Sequence, residues 1–147
     1  MEVRDFLKEA DTEIDLRAAD KSSLIKALAV KAASAVKLPA DTIFNALQQR
    51  DELGSTGIGS GVCIPHARFR EIQRPFGIFA RLRHPIDFDA IDGEPVDLAF
   101  LLLLPAASQL DQLNALAAVA RKLRDPEMLR RLRKADGEAA FYEAIAK

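Results

Sequence analysis

The segment from Val96 to Leu104 is almost uninterrupted hydrophobic sequence, with Asp97 as its one charged residue. Strands that are buried on both faces form continuous apolar runs, whereas strands at a surface alternate apolar with polar residues. The run is also far too short to cross a bilayer as a helix. We therefore predict that it forms the central strand of a sheet with a layer of helices on each face.

The segments that precede this run predict the rest of the fold. Asp20 is suited to cap a helix whose apolar residues recur at helical spacing, and Pro39 interrupts that helix. A second helix begins near Asp41 and ends before Gly54. The predicted fold is α/β, with a mixed parallel and antiparallel sheet of about five strands and helices on both faces, in a single domain over residues 1–147. Further strands are expected on three segments: 13–16, 62–67 and 76–83.

The chain after Pro105 is predicted to be helical. Ser108 can cap a helix there, and Asp125-Pro126 begins another, because proline is favoured at the first helical position. The spacing predicts that the first of these helices buries a stripe made of Leu110, Leu113, Leu116, Ala117, Ala120 and Leu123. No aromatic residues interleave the basic residues of this region, so we interpret them as solvated helix faces: they are Arg121, Lys122, Arg124, Arg130, Arg131, Arg133 and Lys134.

Composition excludes several classes of protein. The net charge is −1, so no global field attracts the chain to nucleic acid or to an anionic membrane. Its single cysteine, Cys63, allows no internal disulfide, which is typical of a reducing compartment. The N-terminal residues are interrupted by charges and do not form a signal peptide. We therefore expect a cytoplasmic protein that neither binds nucleic acid nor inserts into membranes.

A glycine-rich segment, 55–61, leads into a short apolar run that ends at His66. Imidazole is well suited to accepting a proton or a phosphoryl group near neutral pH. If residues 62–67 form a strand, His66 shares a face with Val62 and Ile64, and Pro65 weakens the pairing beside it. We therefore expect an accessible His66 at a strand end. The backbone amides of Gly57, Gly59 and Gly61 are then candidates for holding an anion.

Other interpretations of these residues remain open at this point. A lone histidine near a turn is more often a hydrogen-bonding or surface residue than a catalyst, and His84 is interpreted as a solvated loop residue. Cys63 and His66 are too few for a zinc site, and strand alternation places them on opposite faces. The acidic residues between 87 and 97 do not match a calcium-binding loop. We therefore predict no metal and no cofactor.

Three segments resemble one known family. The sequence from Gly54 to His66 is similar to the phosphorylation-site motif of the enzyme IIA domains of the bacterial phosphotransferase system, in their fructose, mannitol and nitrogen-regulatory branch. The segments 85–98 and 103–105, the latter followed by a helix from Gln109, resemble two further parts of the family. The resemblance covers the chain from about Asp5 to its end and is strongest to the nitrogen-type enzyme IIA.

The resemblance implies a specific chemistry. His66 would accept a phosphoryl group on Nε2 from a phosphohistidine of a small carrier protein similar to HPr, without a metal. Arg50 matches a family arginine whose guanidinium suits phosphate oxygens. Arg68 falls on the face of His66 if the strand continues. The expected supporting contacts are Arg50, Ser55, Thr56, Gly57, Gly59, Arg68 and Gln112.

Gln112 marks a departure from the family. Many relatives carry a second histidine at this position, close to the active one. Glutamine donates a hydrogen bond but cannot be protonated, so charge switching by a pair of histidines is not expected here. If the alignment is shifted by one residue, Asp111 is the neighbour instead.

The resemblance also implies a biological role. Nitrogen-type relatives act by binding targets such as sensor kinases and potassium transport proteins, according to their phosphorylation state. One alternative is a binding regulator that never passes the phosphoryl group on. A second is a fructose- or mannitol-type sugar-uptake component that passes it to a separate IIB protein.

Overall fold

A six-stranded sheet forms the middle layer of the computed structural model, which describes residues 1–147. Two short 3-10 turns, Val3–Asp5 and Glu9–Asp11, precede the first strand. The strands are β1 (Thr12–Leu16), β2 (Gly57–Gly59), β3 (Val62–Cys63), β4 (His66–Phe69), β5 (Phe76–Ile86) and β6 (Val96–Pro105). The α-helices are α1 (Lys21–Val36), α2 (Ala40–Glu52), α3 (Gln109–Leu123), α4 (Pro126–Lys134) and α5 (Glu138–Ala146).

Strand β6 is the central strand of the sheet, as its apolar sequence predicts. It pairs antiparallel with β5 on one side and parallel with β3 and β4 on the other. Strand β1 lies parallel to the outer side of β5, and β2 lies antiparallel to the outer side of β3. The sheet is therefore mixed, and the predicted α/β class is confirmed.

Two hydrophobic cores cover the two faces of β6. Leu101 and Leu103 face a core that α1 and α2 close with residues such as Leu28 and Leu47. The opposite face of β6 packs in a second core, which α3, α4 and α5 close. Burial of each such side chain stabilises the fold by about 1.5–3 kcal/mol. This second core includes Phe79, Leu98, Phe100, Leu102, Leu104, Val119, Leu129, Leu132 and Phe141.

The predicted helix starts are present. Asp20 accepts a hydrogen bond from the Ser23 amide at 2.8 Å, so it caps α1. Ser108 accepts one from the Asp111 amide at 3.2 Å and caps α3. Asp125 caps α4, which begins with Pro126. Each cap satisfies a backbone N–H that has no partner within its helix.

The predicted stripe of α3 is confirmed for Leu116, Ala120 and Leu123, which pack against the core, and is wrong for its other three residues. Leu110 is 68% exposed and Leu113 is 66% exposed, and Ala117 is also exposed. The helix instead turns small side chains toward the sheet, where bulky residues of β6 such as Phe100 already fill the space. The residues that α3 buries are Ala115, Ala118, Val119 and Leu123.

No helix of the chain is both long enough and apolar enough to cross a bilayer.

The segment 13–16 and the segment 76–83 form strands as predicted, within β1 and β5. The predicted strand over 62–67 is divided in two, at Ile64 and Pro65.

Truncation of two leucines in α3 tests the observed face of this helix. We expect Leu123→Ala to lower the free energy of unfolding by about 2–5 kcal/mol, because it leaves a cavity in a closed core. Leu113→Ala should change it by less than about 0.5 kcal/mol, since the side chain lies in solvent. Urea unfolding measures both values. Equal losses in the two variants would contradict the observed orientation of α3.

Candidate functional site

His66 is the first residue of β4, directly after the break in the predicted strand. Strand β3 pairs with β6 as far as Cys63, opposite Ala99, and pairing resumes at His66, opposite Leu102. Pro65 has no N–H to donate, so its prediction as a weak point of the ladder agrees with the structure. The pairing does not end there, however, and His66 therefore begins a strand rather than ending one.

The imidazole of His66 is held by its own backbone. Its Nδ1 lies 2.8 Å from the carbonyl oxygen of Ile64, two residues earlier. A carbonyl oxygen only accepts hydrogen bonds, so Nδ1 carries the proton in this contact. In the neutral ring the lone pair is then on Nε2.

The surroundings of His66 favour this neutral form. The side chain is half-buried, and burial is the largest cause that lowers the pKa of its imidazole below 6.5. The hydrogen bond to Ile64 opposes this decrease, and the positive charge of Arg50 adds to it. Burial and Arg50 together outweigh the hydrogen bond, so the pKa of His66 is lowered and its ring is an uncharged nucleophile at neutral pH.

His66 opens into a cavity of about 790 Å³, which we call the His66 cavity. Its polar wall consists of two arginines, one imidazole, two amides and one carboxylate, and those used below are Arg50, Arg68, His66 and Gln112. The guanidinium groups offer positive charge and several N–H donors to an anion. The remaining lining residues are Ala46, Gln49, Glu52, Leu53, Ala67, Leu104 and Leu116.

Arg50 lies in the last turn of α2 and reaches the His66 cavity, as expected. Its Nη1 donates a hydrogen bond to the Gly54 carbonyl at 2.9 Å, which fixes one end of the guanidinium. Arg68 lies two residues after His66 in β4 and shares its face, because side chains alternate along a strand. Both arginines therefore lie where the sequence places them.

Gln112 lies in the first turn of α3 and lines the same cavity. Its Nε2 donates a hydrogen bond to the Pro105 carbonyl at 2.9 Å. One amide N–H is thereby used for anchoring, which leaves a second N–H and the amide oxygen for other partners. Asp111, the alternative that an alignment shift would select, is absent from the cavity lining.

Four of the expected supporting residues are absent from the cavity lining, and these are Ser55, Thr56, Gly57 and Gly59. The Ser55 hydroxyl donates to the Phe88 carbonyl at 3.1 Å and accepts from the Gly57 amide at 3.1 Å. Thr56 is buried, and its hydroxyl and amide both donate to Asp51. These groups are occupied within the scaffold, which corrects the expected direct contacts with the histidine.

The glycine amides do not form an anion site beside His66. Gly59 has a φ of +103° and Gly61 a φ of +79°, and both lie at the tight turn between β2 and β3. A side chain at Gly59 would meet the Asp92 carboxylate, which accepts a hydrogen bond from the Ser60 amide at 2.9 Å. The Ser60 carbonyl accepts a hydrogen bond from Arg133, which also pairs with Asp97, so the polar groups at this turn pair within the chain and these glycines shape a turn.

The sequence interpretation missed Asp51 and Lys21. Asp51 is buried at the end of α2, where it forms an ion pair with Lys21. A carboxylate in the last turn of a helix is unfavourable because it opposes the helix dipole. That position in the sequence could have indicated that Asp51 has a compensating partner. No group of three or more His, Cys, Asp or Glu side chains is arranged to hold a metal ion.

Comparisons with known proteins agree on one family. The model of the phosphoenolpyruvate-dependent sugar phosphotransferase system EIIA 2 family matches residues 5–147. A nitrogen regulatory protein of Bradyrhizobium diazoefficiens is 43% identical over 131 residues, which cover 89% of this chain and 86% of that protein. A fructose-specific EIIA component of Haloferax volcanii is 36% identical, over 73% of this chain and 70% of that protein.

A solved structure extends the agreement to three dimensions. The crystal structure of the nitrogen regulatory protein IIA-Ntr from Neisseria meningitidis superposes with a TM-score of 0.91 at 30% identity. The match covers 96% of this chain and 97% of that one. The chain therefore belongs to the EIIA 2 family of the phosphoenolpyruvate-dependent sugar phosphotransferase system.

Proposed function

We propose that the chain is a phosphoryl carrier of the nitrogen-regulatory type, with Nε2 of His66 as the acceptor. The donor is a phosphohistidine on an HPr-like carrier protein. The observation that carries this proposal is the hydrogen bond between Nδ1 of His66 and the Ile64 carbonyl. It directs the nucleophilic lone pair to Nε2, beside a cavity that two arginines line.

The transfer forms one bond and breaks one. The lone pair of Nε2 attacks phosphorus, while the bond from phosphorus to the carrier's ring nitrogen breaks and returns its electron pair to that nitrogen. The His66 ring gains positive charge in this step and keeps its proton on Nδ1. The Ile64 carbonyl, at 2.8 Å, accepts a stronger hydrogen bond from that proton as the ring becomes positive.

The two arginines supply the electrostatic part of the reaction. A phosphoryl group in transit spreads negative charge over its three outer oxygens, and catalysis depends on placement and on charge stabilisation. Arg50 and Arg68 line the same cavity as His66, which the phosphoryl group would enter, so they are the candidates for this stabilisation. Gln112 adds a neutral donor on the α3 side.

Exposed leucines around the site suit a protein donor. Leu53 lines the His66 cavity and is 86% exposed, and Leu113 is 66% exposed one helical turn before the lining residue Leu116. Apolar side chains near a reactive group gain free energy when a partner protein covers them. We propose that the carrier docks here and that regulatory targets read the charge which phosphorylation adds to this surface.

The names of the nitrogen regulatory relatives support the proposed regulatory role. The targets we propose are sensor kinases and potassium transport proteins. We place the reaction in the cytoplasm. A sugar-uptake role, with onward transfer to a IIB protein, is the second candidate, because a relative that is 36% identical is a fructose-specific EIIA component. A pure binding regulator, which never passes a phosphoryl group on and binds its targets without it, is the third.

Phosphorylation by the complete donor chain tests the acceptor. The protein is incubated with phosphoenolpyruvate, enzyme I and the HPr-like carrier, and its intact mass is measured. We expect one added phosphoryl group, labile in acid and stable in base, because it is bound to nitrogen. His66→Ala should remove the addition. His84→Ala, which changes the other histidine, should leave it unchanged, and labelling that survives His66→Ala would contradict the proposal.

The labelled protein also separates the three roles. It is mixed with IIB proteins and with candidate regulatory targets, and the label and the complexes are followed. Transfer to a IIB protein favours sugar uptake. Label that stays in place, together with target binding that depends on it, favours nitrogen-type regulation. Target binding that His66→Ala leaves unchanged favours a regulator that does not need the phosphoryl group.

Titration of His66 by NMR tests the role of Arg50. We expect an apparent pKa below 6.5 in the unmodified protein, and a higher value in Arg50→Gln, because the variant removes a cation that disfavours the imidazolium. The same variant should slow phosphorylation on the order of 10²-fold, as loss of one charge-stabilising donor does. Arg83→Gln, on an exposed part of β5, is the matched control. An unchanged pKa and rate in Arg50→Gln would remove Arg50 from the site.

Replacement of Gln112 tests the departure from the family. Gln112→His adds a titratable ring at the cavity wall, so we expect the ratio of its transfer rate to that of the wild type to change with pH near about 6.5. Asn114→His, on the exposed side of the same helix, should give a flat ratio. Transfer rates are measured with the phosphorylated carrier. A flat ratio for Gln112→His would show that this position does not contact the reaction.

A further inference from the structure

Asp51 is a buried carboxylate immediately beside Arg50, and it does not touch the His66 cavity. It is 7% exposed in the last turn of α2. A buried charge at the negative end of a helix needs compensating partners. Three donors supply them: the Thr56 amide at 2.9 Å, the Thr56 hydroxyl at 2.7 Å and the Lys21 ammonium.

These partners keep Asp51 charged. Burial by itself raises the pKa of the carboxyl, but the hydrogen bonds from Lys21 and Thr56 outweigh it and lower the pKa below its ordinary value. Lys21 is itself fixed, with its ammonium 5.0 Å from the centre of the Phe88 ring and 3.6 Å from the Asp89 carboxylate. The pair is therefore an anchored charge cluster between α1 and α2.

One branch of hydrogen bonds leads from this cluster to the imidazole. The amide and the hydroxyl of Thr56 both donate hydrogen bonds to Asp51. The Thr56 carbonyl accepts a hydrogen bond from the Ile64 amide at 2.9 Å. The carbonyl of the same Ile64 lies 2.8 Å from Nδ1 of His66. Ile64 is thus held on its N–H side by Thr56, and on its carbonyl side it orients His66.

A second branch leads from the same residue to the guanidinium. The Asp51 carbonyl accepts a hydrogen bond from the Gly54 amide at 3.1 Å. The Gly54 carbonyl then accepts one from Nη1 of Arg50 at 2.9 Å. This second path uses only the backbone of residue 51, so the Arg50 guanidinium is oriented independently of the Asp51 carboxylate.

We propose that Asp51, Thr56 and Lys21 form a positioning unit that orients the His66 imidazole through Ile64. The inference rests on the proposed function. None of the three residues lines the His66 cavity, so each acts through other groups. Loss of the unit should misplace the His66 imidazole rather than remove it, and small misplacements have large effects on rate.

Two variants and two controls test the unit. Thr56→Val removes the hydroxyl and keeps the shape, and Asp51→Asn removes the charge and keeps the size. Thr56→Ser restores a hydroxyl, so it is the conservative rescue. Asp89→Asn removes only the exposed partner of Lys21 and is the matched control for a general change in charge.

The measurements separate positioning from stability. We expect Thr56→Val and Asp51→Asn to lower kcat for phosphorylation by about 10-fold or more, with little change in KM for the phosphorylated carrier, since the docking surface is intact. The imidazole nitrogen chemical shifts and the pKa of His66 should also change by NMR. Thr56→Ser and Asp89→Asn should resemble the wild type in all these quantities. Urea unfolding, run in parallel, shows that each measured sample is folded.

The outcomes that overturn the inference are distinct from failure of the proposed function. Variants that lose stability but keep kcat and the His66 NMR signals would show that the unit only supports the fold. The NMR measurement needs no donor, so unchanged imidazole signals in folded Thr56→Val overturn the inference even if the protein accepts no phosphoryl group. Absence of phosphorylation in the wild type would instead overturn the proposed function.

Discussion

The hydrogen bond from Nδ1 of His66 to the Ile64 carbonyl is the contact on which the site depends. The Ile64 amide donates to the Thr56 carbonyl, but the Thr56 amide donates to Asp51 instead of returning a hydrogen bond, so the Ile64 carbonyl is left for the imidazole. That single contact decides which ring nitrogen carries the proton and therefore which one reacts.

Much of this arrangement could be predicted from local sequence. The apolar run of β6 indicates a strand buried on both faces, and Asp20, Ser108 and Asp125 each cap the helix that their positions predict. Strand alternation places Arg68 beside His66, and the end of α2 brings Arg50 to the same cavity. These features depend on periodicities and caps of a few residues, which a sequence displays directly.

The remaining features depend on residues distant in sequence. In the sequence, Ser55 and Thr56 are plausible phosphate ligands. In the structure, their hydroxyls donate to the Phe88 carbonyl and to the Asp51 carboxylate. Leu113 fits a helical stripe as well as Ala115 does, and the packing of α3 against the sheet decides which of them is buried. Partner choice across the chain is a property of the packed core, and no spacing rule encodes it.

The environment of Cys63 has a consequence for the protein's resistance to oxidants. The thiol lies three positions before His66 in the chain, fully buried in the core beneath α1 and α2. Burial, with the nearby negative charge of Asp51, raises the pKa of the thiol well above its ordinary value. Thiolate is the form that reacts with peroxides and alkylating reagents, so this sulfur atom is chemically inert in the folded chain. Imidazole chemistry can therefore proceed close to a cysteine without interference from the redox state of the cell.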